Sequence, residues 1–188
     1  GVSGSMYATH TKLSHVMCIP VPGGVAAVDA ASSFVNPLTA LGMTETMRLE
    51  GHSAIVHTAA ASNLGQMLNR LCQADGIPLV NVVRRNEQAD LLRAAGADHV
   101  VVSSADSFAD DLTAAITATG ATIAFDAIGG GEQVDTLLAS MEKASSAGQA
   151  FSRYGSDTHK QVYIYGGLDR SATTLRRTYG MSWGVGGW

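Results

Sequence analysis

The sequence is poor in the residues that build covalent or metal frameworks. It has two cysteines, Cys18 and Cys72, no CxxC pair and no HExxH. One disulfide is arithmetically possible, but a soluble intracellular chain keeps both thiols reduced. The six histidines are scattered, and His10 with His15 has no third ligand beside it, which argues against a zinc site. No apolar run reaches the roughly 18 residues needed to span a bilayer. No charged start leads into an apolar h-region, so a secretory signal is not expected. A strong excess of charge of one sign is missing too. The formal net charge is −4, which offers no general attraction to nucleic acid or to anionic membranes. Internal repeats and long linkers are missing. The expectation is a cytoplasmic protein with no nucleic-acid or membrane partner.

What is present is an ordinary globular balance: 46% hydrophobic residues, 15% charged and 21 glycines in 188 residues. That suits one large domain able to bury roughly 70% of its unfolded surface. Residues 1–5 read as an expression scar or a flexible start. Beyond them a unit recurs: a short β-branched run, a turn, then an amphipathic helix. Residues 53–58 read as a strand, followed by Leu64, Met67, Leu68 and Leu71 on one helical face. Strands at 79–83, 99–102, 122–126 and 161–165 follow, with helices over 86–95, through Leu112, Ala115 and Ile116, and along Val134, Leu137, Leu138 and Met141. Ser107 with Asp110 resembles a capping box. A sixth strand is expected near 179–183. Asn36 and Pro37 read as an N-cap and the first position of a helix. The polar segment 145–160 reads as a surface excursion. Strands alternating with helices call for an α/β fold, a doubly wound Rossmann sheet, parallel, with helices on both faces.

The turn after the first strand runs Ala60-Ala61-Ser62-Asn63-Leu64-Gly65. A dinucleotide fingerprint places glycines at the positions of Ala60, Ser62 and Gly65, and only the last is present. Gly65 permits close packing of helix on strand. Ser62 is small enough for a phosphate to approach, and the helix start beyond it offers unpaired N–H groups. An ordinary strand-to-helix turn explains this motif about as well. About 20 residues on, where an NAD-binding domain offers Asp or Glu to the ribose, the second strand ends Val83-Arg84-Arg85. A carboxylate there repels a 2′-phosphate, whereas guanidinium groups bind one. The alternative is a pair of solvated arginines.

In chain order, Asn36-Pro37-Leu38-Thr39-Ala40, the 61–65 turn, Val80-Asn81-Val82-Val83-Arg84, Ala95-Gly96-Ala97-Asp98-His99-Val100, Asp126-Ala127-Ile128-Gly129-Gly130 and Tyr165-Gly166-Gly167 resemble the zinc-free medium-chain dehydrogenase/reductases. Within that family they look most like the quinone oxidoreductases and mitochondrial-type 2-enoyl thioester reductases. The sequence departs from the pattern in carrying Ser62 and Asn63 where quinone oxidoreductases have a glycine pair, and in the length of 145–160. The resemblance implies NADP(H) as cofactor. It places Asn36 and Thr39 near the nicotinamide and substrate, and Ser62, Asn63, Leu64 and Gly65 under the pyrophosphate. It places Arg84 and Arg85 at the 2′-phosphate, Ala127, Ile128 and Gly129 along the nicotinamide ribose, and Tyr165, Gly166, Gly167 and Leu168 by the carboxamide. It further implies hydride transfer to a quinone, enone or enoyl thioester, a homodimer, and a proton donor in a catalytic domain outside this chain. Residues 6–35, with 7–10 as a strand, would lead from that domain, 36–188 would be the NADP(H)-binding domain, and the fragment alone would be inactive. An NADP(H)-sensing module without turnover and an adenosylmethionine-binding sheet stay open as alternatives, although Arg84 argues against the second.

Overall fold

The computed structural model describes Gly4, Met6 and residues 8–188. The chain divides into two units, Gly1–Val35 and Asn36–Trp188. In the first, the described elements are a 3-10 turn, His15–Met17, and helix α1, Ala27–Ser32, neither of which buries a residue. The strand expected at 7–10 is absent among the described residues, and Tyr7 lies outside them. Of 1–5, only Gly4 is described.

The second unit follows the strand–helix alternation. Helix α2 (Val35–Leu49) leads into β1 (Ile55–His57), α3 (Asn63–Asp75), β2 (Leu79–Val83), α4 (Asn86–Ala94), β3 (His99–Val102) and α5 (Phe108–Thr119). Then come β4 (Ile123–Asp126), β5 (Gly129–Gly131), α6 (Gln133–Ser146), β6 (Lys160–Ile164), β7 (Asp169–Thr173) and β8 (Trp183–Gly187). Six strands form one parallel sheet in the order β3-β2-β1-β4-β6-β8, the doubly wound α/β arrangement.

Register explains why both faces are apolar. Side chains alternate along a strand, and Ile55 stands opposite Leu79 and Ile123 while Val56 stands opposite Val80 and Ala124. On one face Ile55, Leu79 and Ile123 pack with Met43 and Met47 of α2 and Leu68 of α3. On the other, Val56, Val80 and Ala124 pack with Ile116 of α5 and Leu138 and Met141 of α6. A smaller cluster joins Val83 and Ala60 to Ala89 and Leu92 of α4. A strand such as Leu79–Val83, buried along its whole length, therefore reads as an unbroken apolar run rather than an alternating one.

Four local expectations are corrected. The sixth strand is Trp183–Gly187, not 179–183. Tyr179 is instead fully buried beneath it, its hydroxyl donating to Asp135 (2.7 Å) and its ring edge-on to Trp183. Helix α2 begins at Val35, so Asn36 is its second residue and not the cap; Pro37 still lies in the first turn, where a missing N–H costs nothing. Ser107 makes no side-chain cap, because its hydroxyl donates to Asp111 (2.7 Å) rather than pairing with Asp110 across a box. Segment 145–160 is not wholly a surface excursion. Helix α6 runs to Ser146, and Ser156 and Lys160 are buried against Glu142. A short two-stranded sheet, β5 with β7, was unforeseen.

Candidate functional site

A cavity of about 750 Å³ opens at the carboxyl end of the sheet, where open α/β sheets place their ligands. The turn after β1, the ends of β2 and β3, and the loops after β4 and β6 all contribute to its wall.

The β1–α3 turn forms one side. Ala59 takes a left-handed conformation at φ 51°, and Ser62 caps α3 with its hydroxyl oxygen accepting from the Gly65 N–H (3.1 Å). Ser62 keeps its own proton to donate, and the N–H groups of Asn63 and Leu64 lie in the helix's first turn, where no intrahelical acceptor exists. A Cβ on Gly65 would stand 2.1 Å from the Ala60 carbonyl oxygen. Only glycine fits there, which is the packing role that the last glycine of a dinucleotide turn performs.

The opposite side is the β2–α4 corner. Arg84 and Arg85 are exposed, and their guanidinium groups make no hydrogen bond or ion pair among the described residues. Their main chain, in contrast, is held firmly. Gln88 Oε1 accepts from both the Arg84 and Arg85 N–H groups, each at 3.1 Å, and Ser104 Oγ donates to the Arg84 carbonyl (2.7 Å). Among the described residues, Arg84 is the one cation on the cavity wall and Asp169 its one carboxylate.

The floor between them is fixed by a buried carboxylate. Asp126 accepts from the Thr58 hydroxyl (2.7 Å), the Ile128 N–H (3.1 Å) and the Gly129 N–H (2.8 Å), while Thr58 Oγ1 accepts from the Ala127 N–H (2.8 Å). This loop presses against the end of β6. A Cβ on Gly166 would meet the Ala127 carbonyl oxygen at 2.6 Å, and one on Gly129 would meet the Gly166 carbonyl oxygen at 2.9 Å. Gly129 has φ 82° as well, so the glycines at 129 and 166 are required by close approach. Beyond them Leu168 and Asp169 donate their N–H groups to the Ala127 and Ile128 carbonyls, which starts the β5–β7 pairing.

Behind this floor Tyr165 hydrogen-bonds His57 Nε2 through its hydroxyl (2.8 Å). Burial holds the His57 imidazole down at about 4. Burial, with the Asp126 charge nearby, pushes the Tyr165 phenol up to about 12. Both are neutral at physiological pH. His57 Nδ1 and Asn81 Oδ1, on residues facing each other across β1 and β2, are buried without partners among the described residues.

Of the residues expected from the sequence, Ser62, Arg84, Ile128 and Leu168 line the cavity. Asn63, Leu64 and Gly65 lie directly behind Ser62 in α3, with Leu64 and Gly65 buried. Ala127, Gly129, Tyr165, Gly166 and Gly167 belong to the two loops that form its floor. Arg85 follows Arg84 as the α4 N-cap but is not on the wall, and Asn36 and Thr39 on α2 do not reach it. Thr58, Gln88, Ser103, Ser104, Gln133 and Asp169 line the cavity without having been singled out. Only Gln88 left a legible trace, as a glutamine three residues after a helix cap.

The family model described as "Zinc-binding dehydrogenase" matches residues 64–150. The mitochondrial enoyl-[acyl-carrier-protein] reductase of Homo sapiens is 30% identical over 100 residues, 50% of this chain and 27% of its own length. A solved protein assigned as an NADPH:quinone reductase, from Mesorhizobium loti, matches with a TM-score of 0.75 at 30% identity, covering 92% of this chain and 46% of that one. These matches support a likeness to the nucleotide-binding domain of the medium-chain dehydrogenase/reductases. An enoyl thioester reductase from Candida tropicalis, at TM-score 0.63 and 17% identity, matches over 89% of this chain and 45% of its own, and shares its fold. The chain spans about half the length of these solved relatives and about a quarter of the human one. Among the described residues, no group of three or more His, Cys, Asp or Glu is placed to hold a metal ion, and no helix is long and apolar enough to cross a membrane.

Proposed function

We propose that this chain binds NADP(H) in the cavity at the carboxyl end of its sheet, as the nucleotide-binding domain (36–188) of an oxidoreductase that reduces an activated C=C bond or a quinone. Arg84 carries this reading. Among the described residues its guanidinium has no acidic partner, and Arg84 lines the cavity directly after the second strand, the place where a domain that takes NAD carries a carboxylate for the ribose hydroxyls. Charge-assisted hydrogen bonds from a guanidinium to a phosphate are about twice as strong as neutral ones.

The wall fits the rest of such a nucleotide. Ser62 and the N–H groups of Asn63 and Leu64 would hold the pyrophosphate, with Gly65 keeping the helix close to the turn. Arg84, flanked by Arg85, would hold the 2′-phosphate. Ala127, Ile128 and Gly129, fixed by Asp126, would lie along the nicotinamide ribose, and 165–168 beside the carboxamide. Asn36 and Thr39 would face nicotinamide and substrate from α2. When bound, the cofactor supplies the hydride, while the protein orients it and excludes water. No tyrosine, histidine, lysine or cysteine lines the cavity among the described residues, and the 188 residues alone are proposed to bind nucleotide with little turnover. Substrates of matching chemistry are quinones, enones and enoyl thioesters.

The free edge of β8 is proposed to pair with a second copy about a two-fold axis. An uncovered parallel edge is a surface that soluble proteins cover, blunt or pair.

Calorimetric titration with NADPH and with NADH tests the proposal. Binding of NADPH at least about tenfold tighter than NADH is expected, one charge-assisted bond being worth roughly 1.5–3 kcal/mol. Equal affinities, or no binding of either, would reject it.

A further inference from the structure

The β2–α4 corner has a second feature besides its free arginine. Gln88 is half-buried on the cavity wall, and its carbonyl oxygen accepts from two consecutive main-chain N–H groups, those of Arg84 and Arg85. Two N–H donors fix which end of the amide is oxygen. The amide nitrogen is thereby turned the other way, and it has no hydrogen-bond partner among the described residues. The Arg84 peptide is thus clamped on both sides, its N–H by Gln88 and its carbonyl by Ser104 (2.7 Å).

A glutamate at position 88 would accept the same two hydrogen bonds, and a carboxylate in the first turn of a helix is favoured by the helix dipole. Stability therefore gives no reason to choose the amide. Charge does. A carboxylate here would stand against the Arg84 and Arg85 main chain on the same wall as Arg84, offset its positive charge and repel a dianionic phosphate.

We propose that Gln88 is a specificity-determining residue of this site: its uncharged carbonyl clamps the Arg84–Arg85 turn, and its amide N–H groups donate to the 2′-phosphate that Arg84 binds. This rests on the NADP(H) reading above. The chemistry recognised is a ribose 2′-phosphate, and Gln88 acts with Arg84 rather than through it.

The experiment is calorimetric titration of the wild-type chain and of Gln88→Glu with NADPH and NADH, with thermal melts of both proteins. Gln88→Glu is expected to melt no lower than wild type. It should bind NADPH at least about tenfold more weakly and NADH within about twofold of wild type. Gln88→Met, which keeps the length and removes the amide's hydrogen bonds without adding charge, should weaken NADPH by about threefold or more with NADH unchanged, and it serves should the glutamate variant not fold. An NADPH-to-NADH affinity ratio unchanged in these variants, or equal losses for both nucleotides, would overturn the assignment of Gln88 while leaving the NADP(H) reading intact. A wild-type chain with no preference for NADPH would overturn both.

Discussion

Replacing Glu142 by Gln tests how the long segment between α6 and β6 is secured. Glu142 is 9% exposed and receives hydrogen bonds from the Ser156 N–H (2.7 Å), the Ser156 hydroxyl (2.8 Å), the Ser146 hydroxyl (2.8 Å) and the Lys160 ammonium. Lys160 opens β6 and is fully buried. Its ammonium also donates to Ser156 Oγ (3.0 Å), and Glu142 is its only ion-pair partner among the described residues. Removing one member of a buried pair strands the other charge, at a cost of about 3–5 kcal/mol. Burial alone would push the Glu142 carboxyl up, but the bonds from Lys160, Ser156 and Ser146 outweigh it and hold it at about 2, against 4.5 for a free glutamate. Because the carboxyl is harder to protonate in the folded chain, its stabilisation is complete above about pH 5 and is lost as the pH falls toward 2. The difference amounts to about 3 kcal/mol. Urea unfolding at pH 7 should therefore show Glu142→Gln destabilised by about 3–5 kcal/mol. The acid limb between pH 5 and 2 should flatten in the variant, and adding Lys160→Met should recover much of the loss. A cost under about 1 kcal/mol, with an acid limb as steep as wild type, would refute the reasoning.

Two further outcomes follow from the site and the sheet edge. Gly65→Ala puts a methyl group against the Ala60 carbonyl, so it should cost about 1–3 kcal/mol in a thermal melt. It should weaken NADPH and NADH alike, because the pyrophosphate turn serves both, whereas unequal losses would move Gly65 away from that turn. For the dimer, the Trp188 N–H donates to Ile164, so alternation along the strand turns the Gly187 N–H to the free edge. A Cβ at Gly187 meets nothing within 4 Å. Gly187→Pro should convert a dimer seen by light scattering to a monomer, and a dimer that survives it places the interface elsewhere.

The sheet was legible in the sequence where burial on both faces demands β-branched residues, as in 79–83. It was illegible where neighbours supply the bulk. In β8, a Cβ on Gly184 would meet the Gln161 side chain at 2.5 Å and one on Gly186 the Tyr163 ring at 3.2 Å. Glycines thus fill a strand whose cross-strand partners lie over it, and propensity points to the aromatic residues upstream. Tyr179 looked like strand because it is apolar, but Asp135 and Trp183 draw it into the core. The 145–160 segment hid its anchor for a related reason: a buried Lys–Glu–Ser network has no periodic signature. At the site, the turn after β1 and the arginine pair were visible because backbone and charge constraints fall on adjacent residues. Gln88 left only the trace of its spacing after a helix cap, and Thr58 and Ser104 left none, because their roles appear only when separate loops meet.

Arg84→Ala, titrated with NADPH and NADH, tests the central claim most directly. The variant should bind NADPH about tenfold to a hundredfold more weakly, matching the loss of one charge-assisted contact of roughly 1.5–3 kcal/mol, with NADH affinity unchanged. Equal losses for the two nucleotides, or none for NADPH, would show that Arg84 does not bind a 2′-phosphate and would contradict the account.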